Sequence, residues 1–394
     1  MNNSTNKIKV SHLSTFGFPI RGLTPYSDSL LRNLIALNNI TNIKVNYRSR
    51  LFDKLHPSSQ QDQQTNSAGD LKIGFLNPFR WKNAFRKKTD IIHAQYWSVI
   101  QIPSLLGVLF YAKLKRIKIV ITVHNAAQHE ALFFTHFFEK KIYNLATKLI
   151  VHTKNGLSLI EKKYLIPKEK LCVIPHGVDI QDTSNVKATK YDYQLLNLNC
   201  DKSYIIFFGN IRNYKGIDVL LDAWNIAAQS LPNCELVVAG RLWTGNTLLK
   251  RLSGAILGTK KLADKILNLK NKKLPKQTTY ILNFLSEDQC TSLFRIANLA
   301  VFPYLKFESQ SGAALKVIAY HVPAIVSNKG GLSEVALDDS YILNENFDAT
   351  SLAKVIIEKM AIDKETANKS HFNTLKEISW HNVAQLHERV YSNL

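Results

Sequence analysis

A loop in the second half of the chain combines cations and glycines in a way that could bind a diphosphate. Residues 207–216 read FFGNIRNYKG, so Arg212 and Lys215 lie between Gly209 and Gly216. Two cations beside the free amides at the start of a helix form a favourable anion site. Paired basic residues in a loop are commonly only solvated surface, but glycines at a strand end favour the binding interpretation.

A second segment, residues 307–319 (FESQSGAALKVIA), follows another strand-like run. Ser311 can cap a helix that opens at Gly312, and a glycine there would let an anion approach the backbone amides. Glu308 would then face the same ligand. The alternative is a plain capped helix with a solvated glutamate. Residues 327–334 (SNKGGLSE) end a further strand with a glycine pair and would border the same crevice.

Near the N-terminus, residues 14–24 (STFGFPIRGLT) nearly match the phosphate-binding loop of nucleotidases. Leu23 stands where that loop has its lysine, which argues against a P-loop enzyme. The third glycine of a dinucleotide-binding fingerprint is also missing. Gly17 and Gly22 therefore mark either an ordinary strand-to-helix turn or a loop that a ligand approaches closely.

The elements that must position these residues alternate between short apolar strands and helix-length segments. This alternation predicts an α/β chain with two doubly wound, mostly parallel sheets. We expect an N-terminal domain over residues 1–188, a C-terminal domain over 189–374 and a terminal helix over 375–394 that packs on the first domain. Strands are predicted at 8–13, 43–47, 91–94, 117–123, 149–152, 204–208, 236–239, 279–282, 299–303 and 324–327.

Composition narrows the class of protein. The chain has 394 residues, a formal charge of +21 and four scattered cysteines. The charge predicts a polyanionic partner and leaves anionic lipid, a diphosphate substrate and nucleic acid open. The cysteines fit a reducing cytoplasm. The polar start predicts no export signal, and the longest apolar stretches are shorter than a membrane-spanning helix requires.

Several short motifs occur in an order that resembles the family 4 glycosyltransferases of the GT-B type, which have two Rossmann-like domains facing across a cleft. The likeness covers nearly the whole chain, and the Ser-Gln-Ser-Gly segment at 309–312 is similar to that of one subgroup. The motifs are TVHN at 122–125, VIPHGVD at 173–179, the loop with Arg212 and Lys215, Gly240-Arg241, the stretch from Glu308 to Lys316, and Gly330-Gly331 to Glu334.

The resemblance implies transfer of a sugar from a nucleotide-diphosphate donor to a glycan or lipid-linked acceptor in cell-surface polysaccharide synthesis, with retention of anomeric configuration. It also implies that the C-terminal helix crosses back to the first domain. Glu308 and His124 would be catalytic, and Gly17 and Gly22 would lie on the acceptor side. The donor would contact Gly209, Arg212, Lys215, Gly240, Arg241, Gln310, Ser311, Gly312, Lys316 and Glu334.

Two positions depart from the family pattern. Asn210 stands where the family often has an arginine, so Arg212 is the nearby candidate for the diphosphate. Lys316 stands where a second glutamate usually holds the nucleotide ribose. No Asp-x-Asp pair at a strand end and no His-Glu-x-x-His segment occur, so we expect no metal site and no cofactor besides the nucleotide-sugar co-substrate.

Much of the basic excess is clustered. Residues 79–88 (FRWKNAFRKK) interleave aromatics with cations, which suits an anionic membrane surface, and a second basic run covers 250–276. Solvated helix faces are the alternative. We expect a cytoplasmic protein, peripheral on the inner face of the cell membrane, that binds no nucleic acid. The competing hypotheses are a basic nucleic-acid-binding protein and a non-catalytic glycosyltransferase-like partner subunit.

Overall fold

A computed structural model describes residues 7–16, 23–47, 71–75, 77–124, 135–181, 187–242, 277–362 and 375–394. The chain divides into two compact units. The first unit comprises residues 1–177, 308–310 and 377–394, and the second comprises residues 178–307 and 311–376.

Thirteen strands and eleven α-helices are present in the described ranges. The strands are β1 (Ile8–Ser14), β2 (Ile40–Tyr47), β3 (Leu71–Ile73), β4 (Ile91–Tyr96), β5 (Lys118–Val123), β6 (Lys148–Val151), β7 (Leu171–Val173), β8 (Ser203–Phe208), β9 (Cys234–Ala239), β10 (Thr278–Ile281), β11 (Ala297–Phe302), β12 (Ala324–Ser327) and β13 (Ile342–Leu343). The helices are α1 (Leu23–Ala36), α2 (Pro78–Trp81), α3 (Ile102–Leu114), α4 (Thr135–Leu145), α5 (Lys154–Tyr164), α6 (Lys190–Leu196), α7 (Ile217–Ala227), α8 (Glu287–Ile296), α9 (Gly312–Ile318), α10 (Ala349–Met360) and α11 (Trp380–Ser392).

The first unit contains a seven-stranded parallel sheet in the order β3-β2-β1-β4-β5-β6-β7. Every residue of β4 is buried, as expected for a strand covered by helices on both faces of the sheet. The strand order reverses beside β1, whose neighbours are β2 and β4. In such sheets, ligands bind at the carboxyl ends of the strands where the order reverses.

The second unit repeats this plan with six parallel strands in the order β10-β9-β8-β11-β12-β13. The reversal lies between β8 and β11, so the loops that follow these two strands border the expected crevice. Behind the sheet, Trp224 of α7 is fully buried, and its indole N–H donates to the carbonyl of Gln277 at 3.2 Å.

The C-terminal helix α11 belongs to the first unit. Its N-cap is Ser379, whose hydroxyl accepts from the amide of Asn382 at 3.3 Å. Trp380 is 6% exposed and packs in one apolar cluster with Tyr26 of α1. The indole fills the space beside Gly177, where a Cβ would collide with it.

The expected α/β class with two doubly wound sheets is confirmed. Each of the ten predicted strands is present, with ends that differ by a few residues. The strands β3, β7 and β13 were not predicted, because two or three residues carry too little periodicity to identify. Among the described residues, no helix is long and apolar enough to cross a membrane.

Candidate functional site

Lys215 lies at the reversal point of the second sheet, in a single 3₁₀ turn (Asn213–Lys215) that follows β8. The residue is 7% exposed, and its ammonium lies 4.9 Å from the ring centroid of Tyr304, which follows β11. Burial lowers the pKa of Lys215 to about 8, and the nearby charge of Arg212 acts in the same direction. Binding of an anion beside a cation that is held out of water in this way stabilises the charged form of the cation.

Glycines allow the backbone around Lys215 to pack closely. Gly209 has φ +118°, and a Cβ there would lie 3.0 Å from both the Lys215 ammonium and the Ala313 methyl. Gly240, with φ +144°, approaches the carbonyl of Gly209 so closely that a side chain would collide. Gly209 therefore keeps the space next to the ammonium open, and Gly240 lets the backbone pack against Gly209.

Tyr304 connects Lys215 to the start of α9. Its ring is completely buried, and its hydroxyl lies 3.1 Å from the hydroxyl of Ser311. Ser311 in turn caps α9 by accepting from the amide of Ala314 at 3.3 Å. One tyrosine therefore fixes both a cation and a hydroxyl-bearing cap at the carboxyl ends of β8 and β11.

The other predicted donor contacts are more exposed. The Arg212 guanidinium lies 6.0 Å from the centroid of Tyr214, a cation–π distance. Gly312 has open space where a Cβ would project.

Arg241 follows Gly240 and is exposed, as is Glu334 in the 3₁₀ turn after β12. The Lys316 ammonium lies 3.1 Å from the Glu287 carboxylate of α8, and both side chains are largely exposed.

In the first unit, the two predicted catalytic residues line one small, open cavity. His124 follows β5 directly, and Glu308 belongs to the short segment 308–310 of this unit. Gln310 and Thr153 also line the cavity. Residues that carry a carboxylate, an imidazole, an amide and a hydroxyl therefore line one space.

His124 is half-buried and has partners at both ring nitrogens. Nε2 lies 2.8 Å from the Gln95 amide, and Nδ1 lies 3.3 Å from Nε2 of His152. Burial lowers the pKa of His124 well below its usual value, and His152 and His176 nearby act in the same direction. The imidazole is therefore neutral at physiological pH.

Several sequence predictions lie outside the described residues. They are Gly17 and Gly22, Asn125 of the TVHN motif, and the basic run 250–276. Among the residues that are described, no three His, Cys, Asp or Glu side chains are placed to hold a metal ion.

Sequence reasoning missed Tyr304, Gln95 and His152. A signal for His152 existed, since His124 and His152 directly follow the adjacent strands β5 and β6, and His176 lies shortly after β7. Parallel strands align their carboxyl ends, so these three histidines had to converge. Tyr304 offered no signal, because its contacts with Lys215 and Ser311 exist only after folding.

Comparison with known families decides the class of the chain. Residues 22–182 match the model described as Glycosyltransferase Family 4, and residues 193–374 match the model described as Glycosyl transferases group 1. The chain belongs to the GT-B glycosyltransferases. The two matches together cover most of this glycosyltransferase, including Lys215, Tyr304, Glu308 and His124.

Two curated relatives are similar to this glycosyltransferase in sequence. The lipopolysaccharide 1,2-N-acetylglucosaminetransferase of Salmonella typhimurium is 25% identical over 81% of this chain and 78% of its own length. The D-inositol 3-phosphate glycosyltransferase of Pseudarthrobacter chlorophenolicus is 26% identical over 62% of this chain and 56% of its own length.

Two solved structures share the fold of this glycosyltransferase. A glycosyltransferase from Rickettsia africae superposes with a TM-score of 0.72 at 14% identity, covering 98% of both chains. Anabaena HepE, in complex with UDP and glucose, superposes with a TM-score of 0.69 at 14% identity, covering 98% of this chain and all of the other.

Proposed function

We propose that this glycosyltransferase moves a sugar from a nucleotide-diphosphate donor to a glycan or lipid-linked acceptor. The observation that carries the proposal is the buried ammonium of Lys215 at the reversal point of the second sheet. A desolvated cation there suits an anionic group, and a departing diphosphate is such a group. The UDP bound by Anabaena HepE supports this donor chemistry.

In this proposal, Arg212 and Lys215 neutralise the departing diphosphate. Gly209 leaves room beside the Lys215 ammonium, and Gly240 packs against the backbone of Gly209. Ser311, Gly312 and Gln310 line the phosphate and the sugar, and Lys316, Arg241 and Glu334 contribute to nucleotide binding. No metal ion and no organic cofactor take part, because the cations do the work that Mg²⁺ does in other transferases.

Glu308 and His124 act on the sugar. A carboxylate that accepts hydrogen bonds from sugar hydroxyls strengthens those bonds as positive charge develops at the anomeric carbon. His124 faces the same sugar, and the family resemblance assigns Gly17 and Gly22, which lie outside the described residues, to acceptor binding. The anomeric configuration is retained, as the resemblance to the family 4 glycosyltransferases implies.

The acceptor belongs to cell-surface polysaccharide synthesis. Support comes from the Salmonella relative, whose name places it on lipopolysaccharide. The protein works in the cytoplasm, peripheral on the inner face of the cell membrane, and does not bind nucleic acid.

A surface of the first unit supports the membrane location. We define the basic-aromatic surface by the exposed residues that α2, the following 3₁₀ turn and α3 present together. Trp81 packs against Gly107, and the rings of Phe85 and Tyr111 lie 4.6 Å apart, so the two segments are joined. The exposed members are Phe79, Arg80, Lys82, Arg86, Lys87, Lys88, Phe110, Tyr111, Lys113, Leu114, Lys115 and Arg116.

Phe79 is 83% exposed and Leu114 is 66% exposed. Exposed apolar side chains among cations suit the interface of an anionic bilayer, where the rings enter the headgroup layer and the cations meet phosphates. We assign this surface to anionic lipid on the basis of that charge complementarity.

Thermal stabilisation by a panel of nucleotide sugars tests the donor site. A ligand present at about 100 times its dissociation constant adds about 2.7 kcal/mol to the free energy of unfolding. We expect at least one nucleotide sugar to stabilise the wild type and to lose this effect in Lys215→Ala. Lys202→Ala is the matched control, because Lys202 pairs with Glu235 at the opposite end of β8. Equal stabilisation of both variants would contradict the assignment of Lys215.

A further inference from the structure

Histidines are unusually concentrated in the first unit. Within its described residues, six lie close together, either buried or half-buried. They are His12 on β1, His93 on β4, His124, His152 and His176 after the strands β5, β6 and β7, and His387 on α11. The predicted catalytic residue His124 is the member that also lines the cavity containing Glu308.

A chain of hydrogen bonds reaches His124 from the C-terminal helix. The Tyr391 hydroxyl of α11 lies 2.7 Å from Nδ1 of His93. Nε2 of His93 lies 2.8 Å from the hydroxyl of Thr122 and 3.3 Å from the side-chain amide of Gln95. The same amide lies 2.8 Å from Nε2 of His124. Gln95 therefore connects His124 to the hydrogen bonds that begin at Tyr391 of α11.

On the other side of His124, the hydrogen bond to His152 has a fixed donor and a fixed acceptor. Nδ1 of His152 lies 3.0 Å from the backbone carbonyl of Ile174, which can only accept, so His152 carries its proton on Nδ1. Burial lowers the pKa of His152 to about 3, so its Nε2 is an unprotonated acceptor. His124 must then donate from Nδ1 across the 3.3 Å contact. The carbonyl of Ile174 thus determines the tautomer of His124.

Gln95 can satisfy Nε2 of His124 in two ways, since its amide carries an acceptor and a donor. With the carbonyl oxygen towards His124, Nε2 must also be protonated and the ring is an imidazolium, the form that burial disfavours. After a half-turn of the amide, the NH₂ group donates to an unprotonated Nε2 and the ring is neutral. His93 changes tautomer in step, because it then faces the amide oxygen.

We propose that Gln95 and His152 are positioning residues for His124. His152 holds the proton of His124 on Nδ1, and rotation of the Gln95 amide gives Nε2 of His124 a partner in both its protonated and its unprotonated state. The proposal rests on the proposed function only for the statement that His124 faces the donor sugar.

The other groups around His124 set the balance between the two states. The ring of Tyr26 lies 4.7 Å away, and His93, His176 and His387 disfavour additional positive charge. Glu308 is the acidic side chain that lines the same cavity as His124. Burial of the ring is the largest cause that lowers the pKa of His124, and the surrounding histidines act in the same direction, so the neutral ring prevails in the free protein.

Nuclear magnetic resonance of the full chain with isotope-labelled histidine tests the proposal without any need for activity. Ring nitrogen signals, assigned with His124→Asn, should show His124 protonated on Nδ1 at neutral pH. Gln95→Glu provides only acceptors and should shift the titration midpoint of His124 upwards by about one pH unit or more. Gln95→Leu, the matched control, should lower the titration midpoint of His124, or lower it so far that the titration is not observed in the folded protein.

The His152→Phe variant should release the constraint, so that His124 shows a mixture of both tautomers. A wild-type His124 protonated on Nε2, or identical midpoints in Gln95→Glu and wild type, would overturn the proposal. Circular dichroism verifies that each variant is folded. If the signals behave as expected while no sugar is transferred, the proposed function fails and the positioning proposal stands.

Kinetics then separates positioning from a merely structural role. In an active enzyme, Gln95→Leu should lower kcat and displace its pH profile, with the donor KM little changed. A uniform loss of folded protein would instead lower the apparent kcat by the same factor at every pH and leave the shape of the pH profile unchanged.

Discussion

At the residue scale, the proposed contact of Lys215 with the donor diphosphate predicts that donor binding depends on pH. Its pKa of about 8 means that the ammonium is charged below pH 8 and loses its proton above it. A bound diphosphate favours the charged form, so donor binding takes up a proton in alkaline solution. We expect the donor KM to rise about ten-fold per pH unit above pH 8. Lys215→Met should bind donor weakly at every pH, and a wild-type KM that stays constant up to pH 10 would refute this.

Glu308 and Lys316 lie on one loop and helix but should affect different kinetic constants. In the proposed mechanism Glu308 acts on the developing charge of the sugar, so Glu308→Gln should lower kcat more than it raises the donor KM. Lys316→Ala should raise the donor KM, and Lys316→Glu should preserve donor binding. Steady-state kinetics at saturating acceptor gives both constants. Full activity of Glu308→Gln would remove the carboxylate from the mechanism.

At the element scale, helix α11 makes the first unit sensitive to acid. Burial lowers the pKa of His387 to about 4, below the value of about 6.5 in an unfolded chain. The unfolded state therefore binds the extra proton first, and stability present above pH 6.5 is lost as the pH falls towards 4. The expected loss is about 1.4 kcal/mol per pH unit for one histidine.

His387→Leu should accordingly flatten the dependence of the free energy of unfolding on pH in that window. The matched control is His381→Leu, since His381 is exposed on the same helix. Denaturant titrations at several pH values measure the slope. If both variants have the same slope as wild type, His387 does not titrate on unfolding.

The basic-aromatic surface belongs to α2, the 3₁₀ turn and α3, and it should bind anionic vesicles. Basic residues near such a membrane contribute about 1 kcal/mol each, and salt screens that attraction. Neutralising Arg86, Lys87 and Lys88 to glutamine should weaken co-sedimentation with anionic vesicles.

A variant with Lys187, Lys190 and Lys354 neutralised is the control for net charge, because these exposed residues lie in the second unit. Equal binding of the two triple variants, or equal binding of wild type to neutral vesicles, would contradict the assignment of this surface.

At the scale of the whole molecule, the repeated architecture was predictable and the fine contacts were not. Strand runs such as Tyr204–Phe208 are continuously apolar because helices cover both faces of the sheet, so they are visible in the sequence. Gly209 and Lys215 were predicted from their place at a strand end. The partnership of Lys215 with Tyr304 was not, because it joins two loops about ninety residues apart.

The most direct test of the central claim is transfer of sugar from a nucleotide-sugar donor by the purified full chain, measured as nucleoside diphosphate released in the presence of acceptor. We expect turnover that persists in EDTA, and a loss of roughly 10²-fold or more in Lys215→Ala and in Arg212→Ala with the fold intact. Lys202→Ala should retain full turnover. Turnover abolished by EDTA and restored by Mg²⁺, or near-normal turnover in both Lys215→Ala and Arg212→Ala, would contradict a metal-free site in which these cations stabilise the departing diphosphate.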